Sequence, residues 1–227
     1  MRRVLRALPV LLAMSVESAF AQVAASVTPS ASVAPAQDSI GFTVVHAGDT
    51  VAVERFARVA TELRGTLILP TRGHERTLYH ATVLPDGTSP LIELSLWRGD
   101  DPENSPARQQ TRVIFKDDSV AVDDITSRGM TTLVLPTSKG AIPYLNLSFA
   151  FLEQALLRAH ALGGDSASVP FFSLGGGQTK AASIRRIGSD SAEVTLGSVE
   201  FRLRVDAEGH ILGGGVPAQQ LTVMRNP

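Results

Sequence analysis

The sequence contains no cysteine, and this absence removes several kinds of chemistry at once. Without thiols the chain has no disulfide, no thiolate metal ligand, no cysteine nucleophile and no lipidated N-terminal cysteine. Aromatic residues make up 5% of the 227 residues, so few rings are present to stack on bases or sugars. Charge is nearly balanced, with 21 Lys and Arg against 22 Asp and Glu. A nucleic-acid partner is therefore not expected, because binding one requires a basic surface.

The first 21 residues have the three parts of a cleaved secretory signal peptide. Arg2, Arg3 and Arg6 form the positive end, a short apolar stretch follows, and positions 19–21 (Ala, Phe, Ala) supply the small residues of a cleavage site. The apolar stretch is about ten residues long, whereas a membrane-spanning helix needs about 20. We therefore expect an exported protein, periplasmic or extracellular, with no lipidated cysteine and no transmembrane span after signal cleavage. An uncleaved signal that serves as an anchor is the alternative.

The segment after the signal has a restricted composition. Residues 22–37 contain only Ala, Ser, Val, Pro, Thr and Gln, which provide too little bulky apolar surface to form a core. We expect a disordered linker over residues 22–38 and a single β-rich domain over residues 39–227. Such a flexible linker raises the local concentration of its domain near a partner.

The pattern of the remaining residues is typical of β-strands joined by turns. Turn residues recur about every eight to twelve positions, and residues 199–205 alternate apolar and charged side chains. Only residues 147–162 show a helical period, with Asn146 as a cap and Gly163 as a terminator. The expected fold class is mainly β, with one inner α-helix. About eleven to fourteen strands form an antiparallel meander, which is a strongly curved sheet or incomplete barrel.

The predicted helix carries a wide apolar stripe, which suits a helix that is pressed into a concave sheet. It either fills the hollow of the sheet or leaves a pocket for an apolar small molecule or lipid. Such a pocket would be lined by Phe149, Leu152 and Leu156 from the helix and by Phe171 and Phe172 from the segment that follows.

Three arginines define a candidate basic patch. Arg202 and Arg204 share the polar face of one predicted strand, and Arg185 lies on a predicted strand nearby in the sequence. The patch would bind a lipid headgroup or an acidic partner. The alternative is an ordinary solvated face whose charges protect a sheet edge.

The sequence has no catalytic or metal-binding motif of the familiar kinds. Its five histidines form neither HExxH nor HxH, and no G-x-S-x-G elbow is present. Asp123 and Asp124 are adjacent, so on a strand their carboxylates point to opposite faces and do not share a proton. We therefore expect no catalytic residue, no metal and no other cofactor.

Two segments carry a resemblance to known proteins. Residues 42–56 and residues 205–214 resemble exported bacterial β-rich proteins of unknown function, and the likeness extends over about residues 40–225. The β-rich segments are also similar to accessory domains that precede hydrolases in some exported peptidases. A curved sheet with one inner helix resembles the open barrels of bacterial lipoprotein carriers, which is a likeness of architecture and not of function.

These observations support three hypotheses about function. The leading one is a non-catalytic exported protein that binds an apolar ligand or a lipid moiety. The first alternative is an interaction or scaffold module that docks on an envelope complex or a hydrolase partner through an exposed sheet edge. The second alternative is a hydrolase, for which the sequence nominates no residue.

Overall fold

The structure is a computed structural model that describes residues 39–102 and 104–227, so the predicted signal peptide and linker lie outside the described residues. The strands are β1 (Ile40–His46), β2 (Asp49–Val59), β3 (Glu62–Leu69), β4 (Glu75–Thr82), β5 (Leu91–Trp97), β6 (Gln109–Phe115), β7 (Ser119–Thr126), β8 (Gly129–Pro136), β9 (Ile142–Tyr144), β10 (Ser166–Ser173), β11 (Gln178–Ile187), β12 (Ser191–Leu196), β13 (Val199–Val205), β14 (Ile211–Val216) and β15 (Leu221–Asn226). Helix α1 (Phe149–Leu162) follows β9, and short 3-10 helices (Pro70–Arg72 and Pro217–Gln219) precede β4 and β15.

All fifteen strands belong to one sheet, in the order β8-β7-β6-β5-β4-β3-β2-β1-β15-β14-β13-β12-β11-β10-β9. Neighbouring strands are antiparallel throughout, except that β9 and β10 are parallel. The first and last strands pair at the centre, which leaves β8 and β9 as the edges of the described sheet. The mainly β fold with one helix is therefore confirmed. The strand count exceeds the sequence estimate, and β9, at three residues, is too short to show an alternating pattern.

Strand β13 shows how the sequence produces the curved sheet. Its apolar residues Phe201, Leu203 and Val205 point inward and are 6%, 2% and 2% exposed. Arg202 and Arg204, which alternate with them, point outward into solvent. Because successive side chains of a strand point to opposite faces, this alternation defines one buried and one wet face.

Helix α1 lies inside the curve of the sheet and is buried on most of its surface. Nine of its fourteen residues are buried, so the helix fills the hollow and does not lie on a surface. It begins two residues later than the sequence predicts because Leu147 has a φ of 65°, in the left-handed region that interrupts a right-handed helix. In the described part of the chain, no helix has both the length and the apolar character needed to cross a membrane.

The two ends of the sheet overlap. Phe171 and Phe172 are adjacent on β10 and so point to opposite faces, yet each is only 1% exposed. Phe172 is covered by Phe115 of β6, whose ring centroid lies 5.7 Å away. Beside this contact, the Thr137 and Thr179 hydroxyl oxygens are 2.7 Å apart. The β6–β8 end of the sheet therefore packs over the β10–β11 end, and the sheet curls without closing through hydrogen bonds.

Candidate functional site

The interior contains a carboxylate that joins the sheet to the helix. Glu54 lies in the middle of β2, is 1% exposed and points toward the start of α1. Its Oε2 accepts hydrogen bonds from the backbone amides of Phe149 (2.7 Å) and Ala150 (3.0 Å). Its Oε1 accepts hydrogen bonds from the hydroxyls of Tyr79 (2.9 Å) and Ser148 (2.5 Å).

Glu54 caps the N-terminus of helix α1 from a strand. The first amides of a helix have no intrahelical acceptor, and the helix N-terminus carries a partial positive charge, so a carboxylate is stabilising there. Ser148 occupies the N-cap position, but its side chain makes no capping bond and donates to Glu54 instead. The left-handed backbone at Leu147 turns the chain into this position. Helix α1 is therefore seated by a strand residue more than 90 positions earlier in the chain.

A second polar cluster anchors the side of the helix. Glu153 is 1% exposed, and its carboxylate lies 2.6 Å from Nη1 of Arg225 and 3.5 Å from Nη2 of Arg58. It also accepts a hydrogen bond of 2.8 Å from the Ile211 backbone amide. Arg58 in addition donates to the side-chain oxygen of Gln154. Glu153 and Gln154, which the sequence assigns to a narrow polar side of the helix, are thus buried against partners in the sheet.

Burial shifts the ionisation of these groups. It raises the pKa of Glu54 above the ordinary glutamate value, although hydrogen bonds from Ser148, Ala150, Tyr79 and Phe149 act in the opposite direction. Burial and the neighbouring Glu54 raise the pKa of Tyr79 well above its usual range. Burial lowers the pKa of Arg58, while Glu153 opposes that change. The cluster is therefore held together by hydrogen bonds at a high desolvation cost.

The Ser148–Glu54 contact has the spacing of a nucleophile and a base, but its surroundings favour a structural role. Ser148 is 2% exposed, so little of its surface reaches solvent. The amides of Phe149 and Ala150, which would otherwise stabilise an oxyanion, are occupied by Glu54. This arrangement holds the helix and leaves no unoccupied donor for a substrate among these groups.

The five predicted ligand-binding residues are distributed over several parts of the core. Phe149 and Leu152 line one cavity of about 60 Å³. Leu156 lines a different cavity of about 20 Å³ near the end of the helix. Phe171 packs on an aromatic ring, and Phe172 lies in the overlap of the sheet ends. A bound water needs about 10–15 Å³, so the larger cavity has room for a few water molecules.

The three predicted basic-patch residues lie on the outer face, among acidic neighbours. Arg185 is paired with Glu193 at 3.0 Å, and Arg202 with Glu200 at 2.7 Å. Cross-strand pairing places Arg185, Glu193 and Arg202 in one row across β11, β12 and β13. Together with the exposed Arg204, they form a surface of mixed charge.

One group of side chains has the spacing of metal ligands. Asp206, Glu208 and His210 place ligand atoms within 4.8 Å of one another in the turn after β13. However, Oδ1 of Asp206 already accepts three backbone amides of this turn, and its Oδ2 lies 2.9 Å from Nδ1 of His210. The turn itself accounts for this arrangement, because a carboxylate that accepts amides of its own turn is a common way to close a hairpin.

The outer surface contains a free edge of unusual composition. Strand β8 is an edge of the described sheet, and its eight residues include no charged side chain. Met130, Leu133 and Val134 are 64%, 54% and 66% exposed. Edge strands are normally protected by charges, by bulges or by a covering element. In the described sheet β8 shows none of these over residues 129–134, and proline comes only at its end.

Every second residue of β8 directs its backbone N–H and C=O groups away from the sheet. The amide of Thr137 donates to the Asp118 carbonyl oxygen at 2.9 Å, so odd-numbered residues direct their N–H and C=O groups toward β7. Pro136, which has no N–H, faces Ser119 at a position of the ladder where none is needed. The N–H and C=O groups of Met130, Thr132 and Val134 therefore point away from β7, along the free edge.

Sequence reasoning identified neither Glu54 nor the β8 edge. Period-two alternation places Glu54 and Arg58 on the same face as Phe56, which is a signal for a charge inside the sheet. That signal is ambiguous because Val51 and Val53, on the other face, are also apolar. The position of β8 at an edge depends on how β1 pairs with the last strand, which no local pattern reveals.

Comparisons with known proteins support the fold and leave the function open. No family model and no curated protein matches the chain. The crystal structure of a DUF1089 family protein from Pseudomonas aeruginosa is similar, with a TM-score of 0.50 and 15% identity over 72% of this chain and 89% of that one. A β-barrel-like protein of a domain of unknown function, DUF1849, from Brucella abortus has a TM-score of 0.45 and 10% identity over 83% of this chain and 93% of that one.

The fold of the described residues is that of a β-rich protein in which a curved, unclosed sheet surrounds one helix. The similarity to the DUF1089 family protein is a similarity of fold.

Replacing Glu54 by leucine should destabilise the protein strongly. The substitution leaves two helix amides and two hydroxyls without their acceptor, and we expect the free energy of unfolding to fall by about 3–5 kcal/mol. Glu54→Gln is the matched control, because its amide oxygen still accepts from the helix while its NH₂ group donates to the hydroxyls. Urea denaturation measures both variants, and an equal loss in the two would contradict the capping role.

The raised pKa of Glu54 predicts a pH dependence with a definite sign. The folded state binds the proton more tightly than the unfolded state, so this contribution to stability is present at low pH and is lost as pH rises through the folded pKa. The free energy of unfolding of the wild type, minus that of Glu54→Gln, should therefore decrease from about pH 4 toward pH 7. Glu208→Gln, in an exposed turn, controls for the loss of one charge. A difference that increases over this range would refute the assignment.

Proposed function

We propose that this protein is a non-catalytic exported interaction module that docks another polypeptide by adding a strand to β8. The observation that carries the proposal is the edge of β8, which is exposed, uncharged and, within the described sheet, unpaired. In this mode of recognition the backbone groups of the edge provide affinity, and alternate side chains provide specificity. The added strand would come from an envelope protein, a hydrolase or a second copy of this chain, and the linker predicted at residues 22–38 would raise the local concentration of the edge near that partner.

The anchoring of helix α1 in the interior favours a binding site on the outside of the domain. Helix α1 is held by Glu54 at its start and by Arg58 and Arg225 along its side. Displacing the helix would leave these buried charges without partners, which costs several kcal/mol. A binding mode that keeps the helix in place is therefore less costly, and the β8 edge offers one.

A photo-crosslinking amino acid at position 134 tests the proposal in the producing cell. Val134 is 66% exposed beside the free edge, so we expect a crosslinked polypeptide adduct at this position. Leu78, which is 43% exposed in the middle of the sheet, is the matched control and should give little adduct. Thr132→Pro, which removes an outward N–H and spares the ladder to β7, should abolish the adduct at position 134.

These three measurements distinguish binding at the β8 edge from nonspecific association. Equal adducts at positions 78 and 134 would indicate unspecific contact and would refute the proposal. The same conclusion follows if no adduct forms at position 134, or if the adduct persists in the Thr132→Pro background with the fold intact by circular dichroism.

An apolar ligand or lipid is the second candidate, and one cavity favours it. The cavity of about 60 Å³ beside Phe149 and Leu152 is lined largely by apolar side chains at the start of α1. We expect ligand binding there to require displacement of the helix, so Glu54→Leu, which removes the acceptor of the helix amides, should take up a fluorescent fatty acid more readily than the wild type. Absence of uptake by both proteins, together with no lipid in an extract of the purified protein, would exclude this candidate.

A further inference from the structure

We propose that the strand added to β8 is β8 of a second copy of this chain, paired antiparallel with Thr132 opposite Thr132. This inference rests on the proposed function, because it uses the same edge. It names the partner and the register. The reasons are the direction of the backbone groups, the matching of side-chain rows and the absence of charge on the strand.

The backbone of β8 is suited to this register. In an antiparallel pair, residues that exchange two hydrogen bonds must both direct their N–H and C=O groups toward the partner. On each copy the outward backbone groups belong to Met130, Thr132 and Val134, because the hydrogen bond from the Thr137 N–H to β7 shows that the odd-numbered residues face β7. With Thr132 at the centre, Met130 lies opposite Val134 of the second copy, and about six backbone hydrogen bonds form. A shift by one residue would place outward groups opposite inward ones.

The side chains of the outer face also match in this register. Thr132 lies at the end of a polar row, in which its hydroxyl and Arg112 both bond to Asp123, at 2.8 Å and 2.7 Å. On either side of this row, Met130 is paired with Ile125 and Val134 with Ala121. Two-fold pairing at Thr132 joins the polar rows of the two copies. It also brings each Met130 against Val134 of the other copy, so apolar surface meets apolar surface.

The absence of charge on β8 favours a partner identical to itself. In a two-fold arrangement the central residue faces its own copy, and a charge there would meet a like charge directly across the interface. The eight residues of β8 contain no charged side chain, and Arg128, just before the strand, would lie opposite the neutral Pro136 of the second copy. A strand evolved to receive a charged peptide would gain from a complementary charge, which β8 lacks.

Single-cysteine variants test the register directly, because the natural chain contains no cysteine. Opposed residues in a hydrogen-bonded pair have Cα atoms about 5.5 Å apart, within the range that a disulfide bridges. Thr132→Cys should therefore form a disulfide-linked dimer on mild oxidation, about tenfold or more faster than Leu78→Cys, which measures random collision. Val134→Cys alone should not crosslink, since the two copies of residue 134 lie about 14 Å apart along the strands. A mixture of Met130→Cys and Val134→Cys should crosslink.

The oligomeric state of the cysteine-free protein provides an independent measurement. Light scattering of the full chain should give twice the monomer mass at micromolar concentration, and Thr132→Pro should be monomeric. Thr132→Lys should also be monomeric, since two lysines would face each other, and mixing it with Thr132→Glu should restore dimers. This rescue separates an interface effect from loss of folding.

The results distinguish this inference from the proposed function. A monomeric wild type in which Thr132→Cys crosslinks no faster than Leu78→Cys overturns the second-copy inference, as does faster crosslinking by Val134→Cys. If position 134 nevertheless gives an adduct with a different polypeptide, the proposed function stands with another partner. If position 134 gives no adduct of any mass, both fail.

Discussion

The contact between Glu54 and the first amides of α1 is the interaction on which the arrangement of the interior depends. A carboxylate from the second strand of the sheet satisfies the start of a helix that follows the ninth. A buried carboxylate is stable only when its oxygens are hydrogen-bonded, and here four donors converge on it. The same contact therefore satisfies the helix amides and fixes the position of the helix inside the curve.

The position of the helix determines what the surface offers. Because α1 fills the hollow, the sheet curves around it, and its β6–β8 end packs over its β10–β11 end instead of pairing with it. This overlap covers Phe172 but leaves β8 at an edge, where its outward backbone groups have no partner among residues 39–102 and 104–227 and its apolar residues on both faces are exposed. In a barrel closed by hydrogen bonds, no such edge would exist. Helix seating and edge exposure are thus linked, because the sheet that curves around the filled hollow does not close through hydrogen bonds.

The sequence was informative where the structure depends on neighbouring residues. Alternation along residues 199–205 correctly assigned the two faces of β13, and the apolar stripe around Phe149 and Leu156 correctly indicated a helix inside a curved sheet. It was uninformative where charges lie among apolar residues. Both faces of the segment around Glu54 carry apolar residues, so the local signal for an inward charge is ambiguous, and the partners of Glu54 at positions 79 and 148–150 are remote in sequence. The sequence places Glu153 on the narrow polar side of the helix, but helical periodicity does not reveal which sheet residues cover that side.

By itself the sequence determined the mainly β class, the presence of one helix and the absence of thiol chemistry, because these follow from residue type and short-range periodicity. Only the tertiary structure decided which strand lies at the edge and which polar side chains become buried. Those properties depend on the pairing of β1 with β15 and on the overlap of the sheet ends, contacts between residues far apart in the chain. The free edge of β8 and the buried Glu54 arise from such contacts, and no stretch of sequence contains them.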